Sequence, residues 1–339
     1  VDTYIDATLS QARLIIVRCL GGLSYWSYGI EQLISLAREK SIKLVLLPGG
    51  ADPDPDLTSQ SSLPPETCER LRQYFANGGP ANTSAFVTLC ASLLDYPLEA
   101  TPPQDFAPSA LYWPGQAAPD LAAIKQHWQA DAPVVAITFY RSLIEGGLTA
   151  PVDALITALT ARGLNPLPIF ISSLKDAASA NCIAENLGAE PPSVILNATG
   201  FAVATFDGGD QPNPFTAFDC PVLQVVFSGT SEDAWRANAQ GLPARDLAMN
   251  IVLPELDGRL MTRAVSFKAD HERHAATECR TVTYKPVQDR IDYVADLATN
   301  WSALRHTPPA KRRIAIILAN YPNRDGRIGN GVGYDTPAS

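Results

Sequence analysis

The sequence has no GxxxxGK[ST] motif, so it lacks a phosphate-cradling P-loop and is not expected to hydrolyse ATP itself. It has no GxSxG either; Ser228-Gly229 follows an apolar run but lacks the rest of a nucleophile elbow. Its six cysteines, at 19, 68, 90, 182, 220 and 279, form no CxxC pair. Scattered in this way they read as free, buried thiols of a cytosolic protein, not as a disulfide framework. No stretch of 18 apolar residues occurs, which leaves no candidate membrane helix. No signal peptide opens the chain, so a cytoplasmic location is expected. Positive charge is in deficit: 26 Lys+Arg stand against 35 Asp+Glu, a net charge of −9. An acidic surface repels phosphate backbones, so nucleic acid is not an expected partner. The compact basic cluster Lys311-Arg312-Arg313 directly precedes an apolar run and reads as a solvated strand entrance. Histidine is scarce, with four residues. His271 and His274, near Glu272 and Glu278, would suit a metal if they shared a helical face. Their segment is highly charged and lies between strand-like stretches, so an exposed polar turn is expected and no metal site is assigned.

What is present is an ordinary globular balance, 46% hydrophobic and 18% charged over 339 residues, enough for about two domains. The pattern alternates strand and helix. Arg13–Leu20 is a short apolar run, followed by Ile30, Leu33, Ile34 and Ala37 on one helical face and by a strand at Lys43–Leu47. Helices are expected around Pro65–Asn77 and Ala81–Leu94. The segment Tyr96–Pro119 carries six prolines and reads as a linker. From there Pro133–Tyr140, Leu167–Ile171, Val194–Asn197 and Pro221–Phe227 are continuous apolar strands separated by amphipathic helices, one with Pro151 in its first turn. Another helix is expected at Ser172–Leu187, ended by Gly188. Thr230-Ser231-Glu232-Asp233 reads as a helix-capping signal. Such runs imply parallel strands covered on both faces.

The expected fold is therefore α/β, with Rossmann-like doubly wound parallel sheets in at least two units. The first unit covers 1–95 and is expected to be incomplete at its start. The linker covers 96–119 and a doubly wound unit covers 120–245. An irregular α+β region with a helix covers 246–310, with strands at Ile251–Leu253, Arg259–Ala264 and Thr281–Tyr284 and the helix at Gln288–Leu304. A further α/β unit is expected to begin at 311–339 with a strand at Arg313–Ala319. The chain opens at Val1 on a helix-like stretch and closes at Asp335–Ser339 on what reads as a helix start, so a piece of something longer is expected.

Three stretches are candidates for binding. Asn320–Gly333 (NYPNRDGRIGNGVG) follows an apolar run; its glycines permit close backbone approach, and Asn320, Asn323, Arg324 and Asn330 supply donors. Leu253–Gly258 (LPELDG) carries Glu255 and Asp257, two carboxylates at i, i+2 that could accept protons or attract a cation, or simply reverse the chain at Asp257-Gly258. Asn197–Phe201 (NATGF) stands at a strand's carboxyl end, where doubly wound folds place ligands.

Several phrases together carry a resemblance. They are GGLSYWSYGIEQL from Gly21, ALYWPG from Ala110, ITFYRS from Ile137, RGLNPLPIFISSLKD from Arg162 and NATGF from Asn197. PVLQVVFSGTSEDAW from Pro221, RDLAMNIVLPELDGRLMTRAVSFK from Arg245 and RIAIILANYPNRDGRIGNGVGYDTPAS from Arg313 follow in order. The set resembles the large, tetrapyrrole-binding subunit of aerobic cobaltochelatase, N-terminal region; the LPELDG stretch is shared with the related magnesium chelatase large subunit. The resemblance implies insertion of Co²⁺ into hydrogenobyrinic acid a,c-diamide during cobalamin biosynthesis. It implies partner subunits of the AAA+ class that hydrolyse ATP with Mg²⁺, and no cofactor held by this segment. Family members are several times longer, and the His- and Glu-bearing stretches of the catalytic cleft are expected beyond Ser339, so no catalytic residue is assigned here. Glu255, Asp257, Asn320, Arg324 and Asn330 are the expected ring-binding residues, with Arg324 pairing a ring carboxylate and the two acidic residues turned towards metal entry or towards Arg259. The alternatives are a magnesium chelatase large subunit acting on protoporphyrin IX and a non-catalytic α/β module for a small ligand.

Overall fold

The structure, a computed structural model, describes residues 1–50, 52–204, 213–318 and 329. Two sheets organise them. The smaller joins β1 (Leu14–Cys19) and β2 (Lys43–Pro48) in parallel, with Leu14 opposite Lys43 and Cys19 opposite Pro48. Alternation along β1 sends Ile15, Val17 and Cys19 to one face, against the helix Ser27–Lys40, and Leu14 and Ile16 to the other, against the helices Pro65–Asn77 and Gly79–Leu93. The outer side of β2 is closed by side chains: Leu44 and Leu46 donate their N–H groups to Ser62 and Ser61 Oγ at 2.7 and 2.9 Å. A sheet edge is thereby satisfied without a further strand.

The larger sheet has seven strands in the order β3-β5-β4-β6-β7-β8-β9. Its parallel centre is built from the apolar runs β4 (Val134–Tyr140), β5 (Asn165–Ile171), β6 (Val194–Asn197) and β7 (Val222–Ser228). Ile137, Ile169, Ile195 and Val225 stand on these four strands and are at most 1% exposed. Counted from β4, the parallel strands run 2-1-3-4-5, a doubly wound order that reverses between β4 and β6. Pro166 and Pro168 fit in β5 because its outer side meets only the two-residue antiparallel strand β3 (Ala110–Leu111). Helices Ala150–Ala161, Ala177–Ala189 and Gln288–His306 cover the sheet and share its core.

The proline-rich stretch 96–119 contributes to packing besides connecting the sheets: Ala100 is buried with the smaller sheet's core, and Leu111 and Trp113 with the larger one's. The 177–189 helix starts five residues later than expected, because Asp176 caps it by accepting from Ser179 N–H at 3.0 Å; Gly188 lies inside it. Ser231 caps Glu232–Ala237 by accepting from Ala234 N–H.

The region expected to be irregular supplies β8 (Leu260–Arg273), parallel to β7, and β9 (Arg280–Pro286), antiparallel to β8. The strand expected at Ile251–Leu253 is not formed. Residues 244–255 are helical throughout, with a π turn at Ala248–Val252. Pro254 explains the turn: in a regular helix its ring would collide with the carbonyl of Asn250, and widening the preceding turn relieves this. The strand expected at Arg313–Ala319 is not seen over its described residues. Among the described residues Arg313–Leu318 pairs with no strand, and Ile314, Ile316 and Ile317 are more than 80% exposed. An apolar run becomes a strand only when a partner satisfies its backbone. The cysteines are free, Cys19 and Cys68 buried and Cys279 exposed. His274 lies in the β8–β9 hairpin turn, where its N–H donates to Cys279 O at 2.9 Å and Arg273 pairs with Glu278 at 3.3 Å.

Candidate functional site

The reversal between β4 and β6 marks the crevice in which a doubly wound sheet binds ligands, beyond the carboxyl ends of its strands. β6 is four residues long and ends at Asn197. The chain above it is held by a buried polar network. Thr138 and Thr199 hydroxyls both donate to Asn197 Oδ1, at 2.7 and 2.9 Å. Asn197 Nδ2 donates to Gln224 Oε1 at 2.9 Å and to Thr199 O at 3.0 Å, and Gln224 Nε2 donates to Thr199 O at 2.9 Å. Arg259 Nη1 reaches the same Thr199 carbonyl at 3.3 Å, and its Nη2 donates to Asp257 Oδ2 at 2.5 Å. The Asp257 carboxylate also accepts the N–H groups of Val203 and Ala204, each at 2.9 Å. The loop 198–204 is thus pinned at both ends by groups from β4, β7 and the approach to β8.

Both partners of the Arg259–Asp257 pair are buried, with side chains 0% and 1% exposed. A lone buried guanidinium would be prohibitive; the carboxylate neutralises it, and the Thr199 carbonyl and the Gln224 side-chain oxygen accept from Nη1. Burial pushes the Arg259 pKa down, and the charge of Asp257 opposes that shift. Arg259 Nε has no acceptor among the described residues. Across the crevice, Tyr140 at the end of β4 donates its hydroxyl to Gly200 O at 3.2 Å. Burial raises the Tyr140 pKa, with the Gly200 bond and the Arg259 charge pulling it partly back.

The crossover from β7 to β8 forms the next wall. A Cβ on Gly200 would lie 3.0 Å from both Met249 O and Asn250 Oδ1, so any side chain there would have to push the π turn back by a few tenths of an ångström. Phe201 then donates its N–H to Met249 O at 2.7 Å while holding φ at +62°. A bulky residue in the left-handed region is strained, yet this ring is 48% exposed. At the end of β7, Ser228 Oγ and Gly229 N–H both donate to the buried Asp246 carboxylate, at 2.6 and 3.1 Å. Asp246 therefore anchors the turn, and Ser228 is engaged as its donor.

Of the residues predicted from sequence, Asp257 joins the network through Arg259, and Glu255 is exposed on the last helical turn, in no ion pair among the described residues. Asn320, Arg324 and Asn330 lie outside the described residues. Asn197 and Thr199, within the predicted NATGF stretch, are at the centre of the network. Thr138 and Gln224 were missed. Their signal was a single polar side chain within an otherwise apolar parallel strand, which must find a buried partner. Beside the turn, Asp257, Gly258 and Leu260 line a cavity of 410 Å³ with residues of 213–222. Among the described residues there is no group of three or more His, Cys, Asp or Glu placed to hold a metal.

A doubly wound sheet with a pinned polar loop and an exposed aromatic residue at its switch point defines the class, an α/β protein. The family model for CobN/Magnesium Chelatase matches residues 72–339, and the chain belongs to that family. It is 43% identical over 350 residues to the aerobic cobaltochelatase subunit CobN of Sinorhizobium sp, covering 100% of this chain and 27% of that protein. The corresponding protein of Pseudomonas aeruginosa is 42% identical over 342 residues, with the same coverage. The H-type magnesium-chelatase protein of Rhodobacter capsulatus is 28% identical over 250 residues, 68% of this chain and 20% of that one. Among solved structures, the catalytic subunit of cobaltochelatase from Mycobacterium tuberculosis superposes with a TM-score of 0.77 at 29% identity, over 100% of this chain and 27% of that one. The chain spans about a quarter of the length of these cobaltochelatase relatives.

Proposed function

We propose that this chain is part of the tetrapyrrole-binding large subunit of an ATP-dependent cobaltochelatase, which inserts Co²⁺ into hydrogenobyrinic acid a,c-diamide in cobalamin biosynthesis. The observation that carries the reading is identity of 42–43% to cobaltochelatase subunits across the whole chain, against 28% over 68% of it to a magnesium-chelatase subunit. Insertion makes three physical demands: the ring must be held and bent, its inner N–H protons need an acceptor, and a hydrated divalent ion must shed water. The described residues serve the first. Phe201 offers an exposed aromatic face against which a flat macrocycle stacks, and the Asn197–Gln224–Arg259 network holds that face in place. Glu255, and the residues Asn320, Arg324 and Asn330, are assigned to the same cleft, with Arg324 and the asparagines meeting the ring's polar periphery. ATP hydrolysis with Mg²⁺ belongs to AAA+ partner subunits, in keeping with a sequence that has no P-loop. Catalytic groups are assigned to other parts of the protein.

The test is a fluorescence-quenching titration of the intact protein with hydrogenobyrinic acid a,c-diamide and with protoporphyrin IX. Saturable binding with preference for the diamide supports the reading. Preference for protoporphyrin IX would transfer the protein to the magnesium branch of the family, and binding of neither ring would leave a small-ligand module.

A further inference from the structure

The smaller sheet has a carboxyl edge of its own, and one residue there is unlike its neighbours. β1 reads Leu-Ile-Ile-Val-Arg-Cys, with Arg18 next to its end. The Arg18 guanidinium carbon lies 4.6 Å from the centroid of the Phe75 ring, and Nη2 donates to Gly49 O at 2.8 Å. These two contacts orient the fork, while the side chain remains exposed and enters no ion pair among the described residues. In a chain of net charge −9, an oriented guanidinium at the carboxyl end of parallel strands, without an ion pair among the described residues, is placed to receive an anion.

The turns around it are open. Gly49 fits only as glycine, since a Cβ would come within 2.8 Å of the Leu20 backbone, and a Cβ on Gly50 would meet nothing within 4 Å. Tyr25, Trp26 and Tyr28, on the turn after β1 and the start of its helix, are 80%, 38% and 53% exposed. These rings lie on the Cys19 side of the strand, whereas Arg18 points to the Phe75 side.

This edge also adjoins the other crevice. Phe75 lies on the last turn of the helix Pro65–Asn77. Arg141, the first residue beyond β4, donates to Asn77 O at 2.5 Å on that same turn, and its guanidinium lies 4.7 Å from the Phe106 ring centroid. Arg141 is neutralised by Glu145 at 2.9 Å, whereas Arg18 has no such partner among the described residues. The carboxyl ends of both parallel sheets therefore converge on one helical elbow, with Arg18 supplying positive charge.

We propose that Arg18 binds a peripheral carboxylate of the macrocyclic ligand, so that the N-terminal sheet, which lies within residues 1–71 and outside the matched family model, forms a second wall of the ring site. The proposal rests on the tetrapyrrole reading above. The experiment titrates the intact protein with hydrogenobyrinic acid a,c-diamide, which keeps free peripheral carboxylates, and with its methyl ester in the same detergent solution. Arg18→Gln and Arg18→Lys are compared with the unsubstituted protein, alongside thermal melting.

The unsubstituted protein is expected to bind the acid more tightly than the ester. Arg18→Gln should weaken binding of the acid roughly tenfold to a hundredfold, the range of one charge-assisted contact, and leave the ester unchanged. Arg18→Lys should recover part of the loss, because the charge returns without the fork. Unchanged affinity of Arg18→Gln for the acid would overturn the proposal. So would equal weakening of acid and ester together with a lowered melting temperature, which marks a structural role. Equal binding of acid and ester by the unsubstituted protein would remove the carboxylate contact while leaving ring binding intact. Binding of neither would remove both readings.

Discussion

Asp257 and Arg259 are a buried ion pair whose energetics can be separated from any role in binding. Removing one member of such a pair leaves the other uncompensated, and Asp257→Ala is expected to lower stability by about 3–5 kcal/mol. Replacing both by apolar residues, as in Asp257→Leu with Arg259→Met, should cost much less, because no charge is then stranded. Urea unfolding of the two variants checks this; equal losses would mean that the pair is not energetically coupled. Phe201 makes the converse case. Its φ of +62° suits glycine, so Phe201→Gly should not lower the unfolding midpoint. It should nevertheless weaken ring binding by roughly 2–10-fold, the worth of one aromatic contact. A variant that loses stability and keeps ring affinity would place Phe201 in the scaffold. The LPELDG stretch offers two directions for Glu255 and Asp257, metal entry or Arg259, and Asp257 takes the second while Glu255 pairs with no arginine among the described residues; nothing in the strand patterns names the partners of Gln224 and Thr138. A polar residue in an apolar run shows that a buried partner is required, and only the fold says which partner it finds.

Among the elements, the parallel strands were the most legible. β4, β5, β6 and β7 are near-continuous apolar runs, and burial on both faces of a parallel sheet demands that composition. Ile137→Ala, in the middle of β4, should cost about 2–5 kcal/mol by leaving a cavity, measured by denaturant unfolding. The segment 244–255 was misread over Ile251–Leu253, because three apolar residues before a proline have no periodicity to choose between strand and helix, and a π turn obeys neither period. Its packing yields a sharper expectation. Gly200→Val should push the loop off Met249 and Asn250 and destabilise by about 1–3 kcal/mol. Backbone hydrogen exchange at Phe201, whose N–H is bonded to Met249 O, should speed up in the variant; unchanged exchange would show that the loop and the crossover are not coupled. The strand expected over Arg313–Leu318 illustrates the other limit of pattern reading. The apolar residues are there, but a strand is a property of a pair.

For the molecule as a whole, the family and the α/β class were legible from short phrases and strand–helix alternation. The convergence of two carboxyl edges on the elbow at Phe75–Asn77 was not, since it depends on contacts between residues far apart in sequence. The central claim is that this chain belongs to the ring-holding subunit of a cobalt-inserting enzyme. The most direct measurement is metal insertion by the intact protein reconstituted with the proposed AAA+ ATPase subunits, followed by the absorbance change of the ring, using two pairs of substrates: Co²⁺ with hydrogenobyrinic acid a,c-diamide, and Mg²⁺ with protoporphyrin IX. The account predicts ATP-dependent insertion of Co²⁺ into the diamide and none of Mg²⁺ into the porphyrin. Insertion of Mg²⁺ into protoporphyrin IX, without turnover of the cobalt pair, would contradict it.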